Sequence, residues 1–420
     1  MKILILGVTA LSHHLAQTLA LDPAVEIIYH PGSNMPIDQN SYKYVPLSFD
    51  KQIYTTCKDL LTFILSTDID LIVGVEHRYQ LYTQLQAIIK LKNIPTVMPL
   101  QKIGMLEWSK IAGKQFLNDL NIPTAPHRVF SINELLQQFF NIPRPFVLKY
   151  DQEWRAGLQT VIITDENVHE QFEYLQNEGM LRISKVTANI GEQYFIVEDF
   201  IEGVKEYSYH VLCNSTGWSY LGSARDYKKR FDGDIGYNTV SYGSYAMVDS
   251  VDPCIATYVD SILDKLNSQG TPYIGILYLG IMITKDQTPM VLEINTRPGD
   301  PEFQAIIPLI NESILSLLYN CATNKPLLPI KFHNKKSVSV RILHKDYQLS
   351  RLYEVGINYP MLWPIPPDIT IGYTMTRGLS YCVITATGDT VQQASDTIYS
   401  FLKNKDMGDY NYRTDIGYLA

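Results

Sequence analysis

The chain has 420 residues, of which 46% are hydrophobic and only 19% are charged. This composition excludes intrinsic disorder, and the net charge of −8 at pH 7 argues against a broad basic face for nucleic acid. The length predicts about two to four domains or lobes, and small molecules are the expected ligands.

The first hundred residues alternate short apolar runs with longer mixed segments. The runs are Ile3–Leu6, Val25–Tyr29, Leu71–Val73 and Thr96–Met98, and the mixed segments include Ser12–Ala20 and Tyr79–Leu91. This pattern is typical of βαβ units, so residues 1–100 are predicted to form a doubly wound, Rossmann-like domain with a parallel sheet. Gly7 lacks the GxGxxG spacing of a dinucleotide turn, which disfavours a nicotinamide or flavin enzyme.

A second domain is predicted over residues 101–325. A helical stretch at Gly104–Leu120 leads to a strand at Phe146–Tyr150 within a smaller lobe of about residues 125–190. Beyond that lobe, one helix at Pro253–Ser268 and several strand-like runs predict an α+β lobe on an antiparallel sheet. The runs are Tyr194–Val197, Tyr207–Cys213, Ile274–Ile283 and Met290–Ile294.

Residues 326–420 are predicted to form a small strand-rich domain. Its strands are expected at Val338–Leu343 and Tyr381–Ala386, and its closing helix at Thr390–Leu402. The predicted fold class is therefore α/β and α+β multidomain.

The strand Met290–Ile294 and the residues after it carry the strongest chemical signal. Glu293 and Asn295 share one face of this strand at period two. Two oxygen donors there are suited to Mg²⁺ or Mn²⁺ with substrate phosphates and water, and Arg297 is next in line on that face to hold a phosphate or carboxylate. The alternative is a surface strand with solvated polar residues.

Two further segments put polar groups at strand ends. Lys149 ends the apolar run Pro145–Leu148, where a phosphate is one counter-ion and a surface lysine is the alternative. Glu198–Gly203 follows another run and offers backbone groups to an adenine ring, with Glu206 available for a ribose hydroxyl. The turn-rich segment Arg225–Thr239 is predicted to be a long, irregular functional loop.

These residues together resemble the ATP-grasp ligases and, within that superfamily, the phosphoribosylamine–glycine ligase family. The similarity is collinear over nearly the whole chain, and its most specific part is Glu293-Ile-Asn-Thr-Arg-Pro-Gly-Asp-Pro-Glu302. The other matching segments are Val73-Gly-Val-Glu76, Leu106-Glu-Trp-Ser-Lys110, Asn121-Ile-Pro-Thr-Ala125, Val147-Leu-Lys149, Glu198–Gly203, Asp226 to Thr239, Gly243-Ser-Tyr245, Val383-Ile-Thr-Ala386, Gly388-Asp389 and Arg413-Thr-Asp-Ile-Gly417.

The resemblance implies an ATP-grasp fold and a role for each matching residue. ATP would be bound by Lys110, Lys149, Glu198, Asp199, Phe200, Ile201 and Glu206, and Mg²⁺ or Mn²⁺ by Glu293 and Asn295. Substrate would be bound by Glu76, Asn238 and Thr239, with Asp226, Arg297 and Asp300 as catalytic residues. The implied reaction forms an acyl phosphate from a carboxylate and ATP, and an amine then captures the acyl group. The expected place in metabolism is purine biosynthesis.

Several segments depart from the family pattern. Gly7-Val-Thr-Ala-Leu-Ser-His13 replaces a glycine-rich turn followed by Arg-Glu-His, and Ser380 replaces a usual arginine. The lid segment Asp151–Thr160 has one glycine, and Arg155 is its only positively charged residue. The C-terminal turn reads His344-Lys-Asp-Tyr347. If the amine carries a phosphate, other side chains are expected to help bind that phosphate. The candidates are a protonated His13 or His14, Lys345 and Arg377.

Three hypotheses remain at this stage. The first is a ligase for glycine and phosphoribosylamine, and the second is a related ligase for another carboxylate and another amine. The third is a nonenzymatic nucleotide-binding relic, which retained Glu293, Asn295 and Lys149 disfavour.

The cysteine pattern and the apolar runs predict a cytoplasmic location. Cys57, Cys213, Cys254, Cys321 and Cys382 lack CxxC spacing, which argues against a disulfide framework or a zinc site. No apolar run reaches the roughly 18 residues of a membrane helix, and the N-terminus is read as a strand, not a signal peptide. Small-molecule substrates are the predicted partners, without nucleic acid or membrane, for a monomer or homodimer.

Overall fold

The structure is a computed structural model that describes residues 1–31, 44–47, 58–76, 79–151, 160–176, 194–248, 251–345, 363–374 and 380–418. The chain divides into two compact units. Unit 1 contains residues 1–104, 207–280 and 295–420, and unit 2 contains residues 105–206 and 281–294. The division into three domains at 100 and 325 stays a prediction.

The N-terminal part of unit 1 is a parallel sheet with helices, as predicted. Its elements are β1 (Lys2–Leu6), α1 (Ala10–Ala20), β2 (Ile27–Pro31), β3 (Tyr44–Leu47), α2 (Lys58–Ser66), β4 (Leu71–Gly74), α3 (Tyr79–Lys92) and β5 (Thr96–Val97). The strand order is β3-β2-β1-β4-β5, and each neighbouring pair is parallel. Strand β1 is central, which explains why Ile3–Leu6 is a continuous apolar run that is fully buried.

Unit 2 is built on a four-stranded antiparallel sheet. Its elements are α4 (Met105–Trp108), α5 (Lys110–Asp119), β6 (His127–Ser131), α6 (Ile132–Gln138), β7 (Phe146–Tyr150), β8 (Thr160–Ile163), α7 (Val168–Tyr174) and β9 (Tyr194–Asp199), in the order β6-β9-β7-β8. Phe139, Phe146 and Phe195 lie in its core. The predicted helix Gly104–Leu120 is interrupted at Ser109, whose side chain caps α5.

Most of the remaining strands form a large, largely antiparallel sheet, while β12 and β13 form a two-stranded sheet of their own. The elements are β10 (Gly203–Asn214), β11 (Gly217–Asp226), β12 (Lys229–Phe231), β13 (Ile235–Asn238), β14 (Gly243–Met247), α8 (Pro253–Ser268), β15 (Gly275–Thr284), β16 (Pro289–Asn295), α9 (Glu302–Ile306), α10 (Ile314–Ala322), β17 (Lys336–His344), β18 (Ile369–Tyr373), β19 (Ser380–Gly388), α11 (Val391–Leu402) and β20 (Tyr410–Asn411). The order is β16-β15-β10-β11-β14-β17-β19-β18, with β20 beside β17. The unit boundaries fall inside β10, β15 and β16.

The helix of residues 253–268 coincides with its prediction because Asp252 caps it and Pro253 opens it. Within the described ranges, no helix is long and apolar enough to span a bilayer. Cys57, Arg155, Tyr347 and Arg377 lie outside the described residues, as does most of the lid segment.

Candidate active site

A buried ion cluster lies on the sheet of unit 2. Lys149 Nζ is 2.8 Å from Glu198 Oε2, and Lys114 Nζ is 3.0 Å from Glu198 Oε1. In the β7–β9 register, Glu198 lies opposite Val147, so Lys149 is its diagonal neighbour on the same face. Lys149 is only 6% exposed, so the surface alternative for this residue is wrong.

The cluster carries more positive than negative charge. Burial opposes ionisation of Glu198, but Lys149 and Lys114 outweigh burial and lower the Glu198 pKa. Burial and the neighbouring Lys149 lower the pKa of Lys114 to about 8. Lys114 also donates to Thr124 Oγ1 at 2.7 Å. Around neutral pH two ammonium groups therefore face one carboxylate.

Lys110 forms a second pair beside the start of helix α5. Its Nζ is 3.5 Å from Glu293 Oε2. Asp151 fixes this helix start, because its Oδ1 accepts from Ser109 Oγ at 2.8 Å and from the Ile111 N–H at 2.9 Å. Unit 2 therefore brings together Lys110, Lys149, Glu198 and Glu293, four of the residues that the sequence selects.

Glu293 and Asn295 fit a hard metal ion in donor chemistry. They are separated by one residue, Ile294, on β16. Glu293 is half-buried and Asn295 is 5% exposed. A solvated surface strand does not explain a buried asparagine. One carboxylate and one amide oxygen correspond to the few protein ligands that Mg²⁺ takes when phosphates and water complete its shell. Among the described residues, no cluster of three or more His, Cys, Asp or Glu side chains suits a metal.

The predicted adenine segment begins inside the sheet. Glu198 pairs with His127 on one side and with Val147 on the other, so its backbone is engaged within the sheet. Phe200, 38% exposed, and Ile201 follow the end of the strand. Glu206 is half-buried on β10.

The segment after β11 is a hairpin, so the prediction of an irregular loop is wrong. Strands β12 and β13 pair antiparallel through Lys229 with Asn238 and Phe231 with Ile235. The turn formers are concentrated in Asp232–Asp234, where Gly233 and Asp234 take φ values of +75° and +56°. Such residues close a tight turn at low steric cost and leave the flanking residues free to pair.

Arg413 anchors this hairpin. Its side chain is 1% exposed, its Nη1 is 2.8 Å from Asp234 Oδ1, and its Nη2 is 2.6 Å from Asp415 Oδ2. Nη1 also donates to the Lys229 carbonyl at 3.1 Å. The hairpin that carries Asn238 is therefore fastened at its turn and at its first strand.

Asp226 and Thr239 lie at the base of the hairpin. Asp226 accepts a hydrogen bond from Ser241 Oγ and lies 3.9 Å from Lys228 Nζ. Thr239 donates to the Lys228 carbonyl through its N–H at 2.7 Å and through its hydroxyl at 2.9 Å.

Arg297 and Asp300 lie on the loop between β16 and α9. Asp300 Oδ1 accepts from Gln304 Nε2 at 2.6 Å and from Arg341 Nη2. Burial raises the pKa of Glu302, which is 3% exposed, although Lys228 and Arg297 oppose that shift. The charges of Lys228, Arg297 and Asp300 thus all act on one buried carboxyl, so these groups are neighbours within unit 1.

Glu76 follows strand β4, and its carboxylate reaches the turn between β1 and α1. Its Oε1 accepts from the Val8 N–H and, at 2.8 Å, from the Thr9 N–H, at the start of α1. A carboxylate therefore takes the backbone amides that a phosphate cradle would offer.

The expectation that His13 or His14 acts as a proton-dependent donor is wrong. Burial lowers the pKa of His13 to about 3 and that of His14 to about 4. His13 Nδ1 instead accepts from the Tyr373 N–H at 2.9 Å. Both imidazoles are therefore neutral between pH 6 and 8.

Three residues of these clusters are absent from the sequence-based selection: Lys114, His210 and Arg341. Lys114 is four residues after Lys110 and thus on the same face of the predicted helix. Arg341 interrupts the apolar run Val338–Leu343, the same kind of signal that selects Lys149. His210 accepts from the Gly299 N–H at 2.9 Å, and nothing in its sequence context indicates this contact.

Comparison with known proteins identifies the family. Residues 108–303 match the phosphoribosylglycinamide synthetase ATP-grasp (A) domain. A phosphoribosylamine–glycine ligase of Streptococcus suis is 30% identical over 442 aligned positions that cover 100% of both chains. The chain belongs to the phosphoribosylamine–glycine ligase family. A phosphoribosylamine–glycine ligase of Streptococcus pneumoniae is 26% identical, again over 100% of both chains.

Solved structures agree with the fold of a phosphoribosylamine–glycine ligase. The enzyme of this name from Thermotoga maritima has a TM-score of 0.75 at 22% identity, covering 99% of this chain and 100% of that one. A biotin carboxylase domain from Hydrogenobacter thermophilus, solved with MgADP, has a TM-score of 0.68 at 16% identity and covers 98% and 91%. The ATP-grasp fold is confirmed, and the chain is an ATP-dependent ligase that forms a C–N bond. ATP is its cofactor, and small molecules are its substrates.

Proposed function

We propose that this protein joins glycine to phosphoribosylamine in purine biosynthesis. In the first step a carboxylate oxygen of glycine attacks the γ-phosphorus of ATP, and ADP leaves. In the second step the amine nitrogen attacks the acyl carbon, the bond to the phosphate breaks, and phosphate leaves while the amine gives up a proton. Both steps depend on positioning and on stabilising charge, not on a nucleophilic side chain.

The observation that carries this proposal is the cation-rich cluster of unit 2. Lys149 and Lys114 share one buried carboxylate, and Lys110 pairs with Glu293. The surplus positive charge suits the β- and γ-phosphates of ATP. Lys149 and Lys110 would contact these phosphates, while Glu198 holds Lys149 in place and the segment from Asp199 to Ile201 borders the adenine, with Glu206 at the ribose.

Glu293 and Asn295 are the proposed metal ligands, with Mg²⁺ or Mn²⁺ as the ion. Bound there, a divalent ion supplies charge neutralisation to the transferring phosphoryl group. The carboxylate and the buried amide on one strand face support this assignment. A cytoplasmic location belongs to the same proposal, and the widely spaced cysteines support it.

Unit 1 would bind the other substrates. Thr239 and Asp226 are joined through Lys228, and Asn238 pairs with Lys229 in the hairpin. Arg297 and Asp300 act on the same buried Glu302. Arg297 would hold a carboxylate or the acyl phosphate, and Asp300 would accept a hydrogen bond from the amine.

A second candidate is a ligase for an amine without a phosphate. The contact of Glu76 with the amides of Val8 and Thr9 favours it, because those donors are already used by a carboxylate. Serine in place of arginine at position 380 points the same way.

One experiment separates the two candidates. ADP release is measured with Mg²⁺-ATP and a panel of amino acids, with and without phosphoribosylamine formed in the assay from ribose 5-phosphate and ammonia. Release that needs both glycine and phosphoribosylamine supports the first candidate. Release with ammonia or another unphosphorylated amine, unchanged by ribose 5-phosphate, supports the second.

A further inference from the structure

The loop between β16 and α9 is held rigidly on both sides of Asp300. Before it, the Gly299 N–H donates to His210 Nε2 at 2.9 Å. After it, Ser244 Oγ donates to the Pro301 carbonyl at 3.1 Å. His210 and Ser244 are both fully buried, so the backbone that carries Asp300 has little freedom to move.

The two oxygens of Asp300 have different surroundings. Oδ1 accepts from both Gln304 Nε2 and Arg341 Nη2, whereas Oδ2 receives no hydrogen bond from the described residues. The Asp300 side chain is 17% exposed, while that of Arg341 is 6% exposed. Oδ1 is therefore held in place by two donors, and Oδ2 remains available to a ligand.

Glu302 is a second, buried carboxyl beside Asp300. Burial raises the pKa of Glu302, and the charge of Asp300 contributes to that rise. A carboxylate with one oxygen saturated and one oxygen open is suited to accept a hydrogen bond from an amine and to fix its direction.

We propose that Arg341 and Gln304 are positioning residues that aim Asp300 Oδ2 at the amine substrate of the ligation. The proposal rests on the function proposed above. Arg341 donates to Asp300 Oδ1 through Nη2, and its rigid, planar guanidinium holds that donor at a fixed angle, which a rotatable ammonium group does not. Gln304 adds the second donor that stops rotation of the Asp300 carboxylate.

The test compares Arg341→Lys and Gln304→Met with wild type. The KM for phosphoribosylamine is expected to rise about tenfold or more in both variants, the range for a charged hydrogen bond that is misplaced, while the KM values for ATP and glycine stay within about twofold. Ser339→Ala is the matched control, because Ser339 is fully buried on the same strand and its hydroxyl forms a hydrogen bond with Thr385 Oγ1 at 2.8 Å.

A merely structural role predicts a different result. Arg341→Lys would then lower the melting temperature and kcat. All three KM values would stay unchanged, as is expected for Ser339→Ala. That outcome overturns the proposal. If wild type uses another amine instead, the function proposed first fails, and the same variants must raise the KM for that amine. A wild-type protein that uses no amine overturns both.

Discussion

In unit 2 lysines outnumber the buried carboxylate that they contact, whereas in unit 1 each candidate carboxylate already has its own donors. Glu198 is shared by two lysines. Asp300 is matched by an arginine, Asp226 by a hydroxyl and Glu76 by backbone amides. The first arrangement leaves positive charge for a polyphosphate. The second fixes the direction of acceptors, which is what an amine or a hydroxyl requires.

Removal of the oxygen donors on β16 is expected to have the largest effect. Glu293→Gln and Asn295→Ala should each lower turnover by at least about a hundredfold, because the charge of the transferring phosphoryl group is then poorly stabilised. Thermal melting checks the cause: Mg²⁺-ATP should no longer stabilise either variant more than ATP alone does.

Asp286→Asn is the control for Glu293, since Asp286 is an exposed carboxylate in the turn between β15 and β16. It should behave as wild type. Wild-type turnover and Mg²⁺-ATP stabilisation in Glu293→Gln would show that this strand does not bind the metal.

Lys149→Ala should break the charge surplus of unit 2. One partner of a buried pair is lost, so about 3 kcal/mol or more of stability should be lost as well as ATP affinity. Lys149→Arg should recover affinity only in part, because a planar guanidinium meets a phosphate differently from an ammonium group.

The double variant Lys149→Met/Glu198→Gln separates the two effects of Lys149. It leaves no unpaired carboxylate, but Lys114 then has an amide in place of its carboxylate partner, so its melting temperature should recover in part. Its Kd for ATP by calorimetry should stay weak. Recovery of ATP affinity together with stability would mean that Lys149 is structural only.

Lowering the pH should destabilise unit 1 more than unit 2, because buried histidines with lowered pKa values lie in unit 1. Burial lowers the pKa values of His13 and His210 to about 3 and of His14 to about 4. The unfolded chain then binds more protons than the folded chain between about pH 4 and 6.5, so stability falls as the pH drops through this range, by up to about 1.4 kcal/mol per histidine per pH unit.

Hydrogen exchange at pH 5 and pH 7, corrected for the intrinsic rate, measures this difference. Peptides of unit 1 should lose more protection than peptides of unit 2, whose His127 is half-buried and whose His169 is exposed. The lowered pKa of Glu198 affects stability only below its unfolded value of 4.5. Equal loss in both units would contradict the assignment of three neutral buried histidines to unit 1.

The smallest effect is expected at alkaline pH in unit 2. Lys114 has a pKa of about 8, so it loses its proton above that pH and the surplus charge of the cluster falls. The KM for ATP should therefore rise severalfold between pH 7 and 9, up to about tenfold. Lys114→Met should show a weak but flat profile, and Lys114→Arg a flat profile near the wild-type value at pH 7. A rise in Lys114→Arg equal to that of wild type would assign the titration elsewhere.

The sequence predicts the fold better than it predicts the site. Strands such as β1 and β4 are recognisable because strands buried on both faces must be continuously apolar. A lysine after an apolar run also selects Lys149, which lies in the buried cluster with Glu198. The partners of these residues are harder to find, since the Lys149–Glu198 pair depends on strand register and the Asp300–Arg341 pair joins residues 41 positions apart.

Two errors have a common physical origin. The segment Arg225–Thr239 is rich in turn formers, yet they are confined to one tight turn, and a long-range contact with Arg413 stabilises the rest. An isolated histidine has a pKa of about 6.5. Burial is the main reason why the pKa values of His13 and His14 are lower. In both cases tertiary surroundings override a property that the local sequence suggests.

The anchor of the β12–β13 hairpin forms only late in the synthesis of the protein. Arg413 lies 179 positions after Asp234. A ribosome that has finished the hairpin must therefore add almost half of the chain before Arg413 is present. A nascent chain therefore carries Asn238 on an unfastened hairpin until that point. Truncated translation products that end before Arg413 lack this anchor.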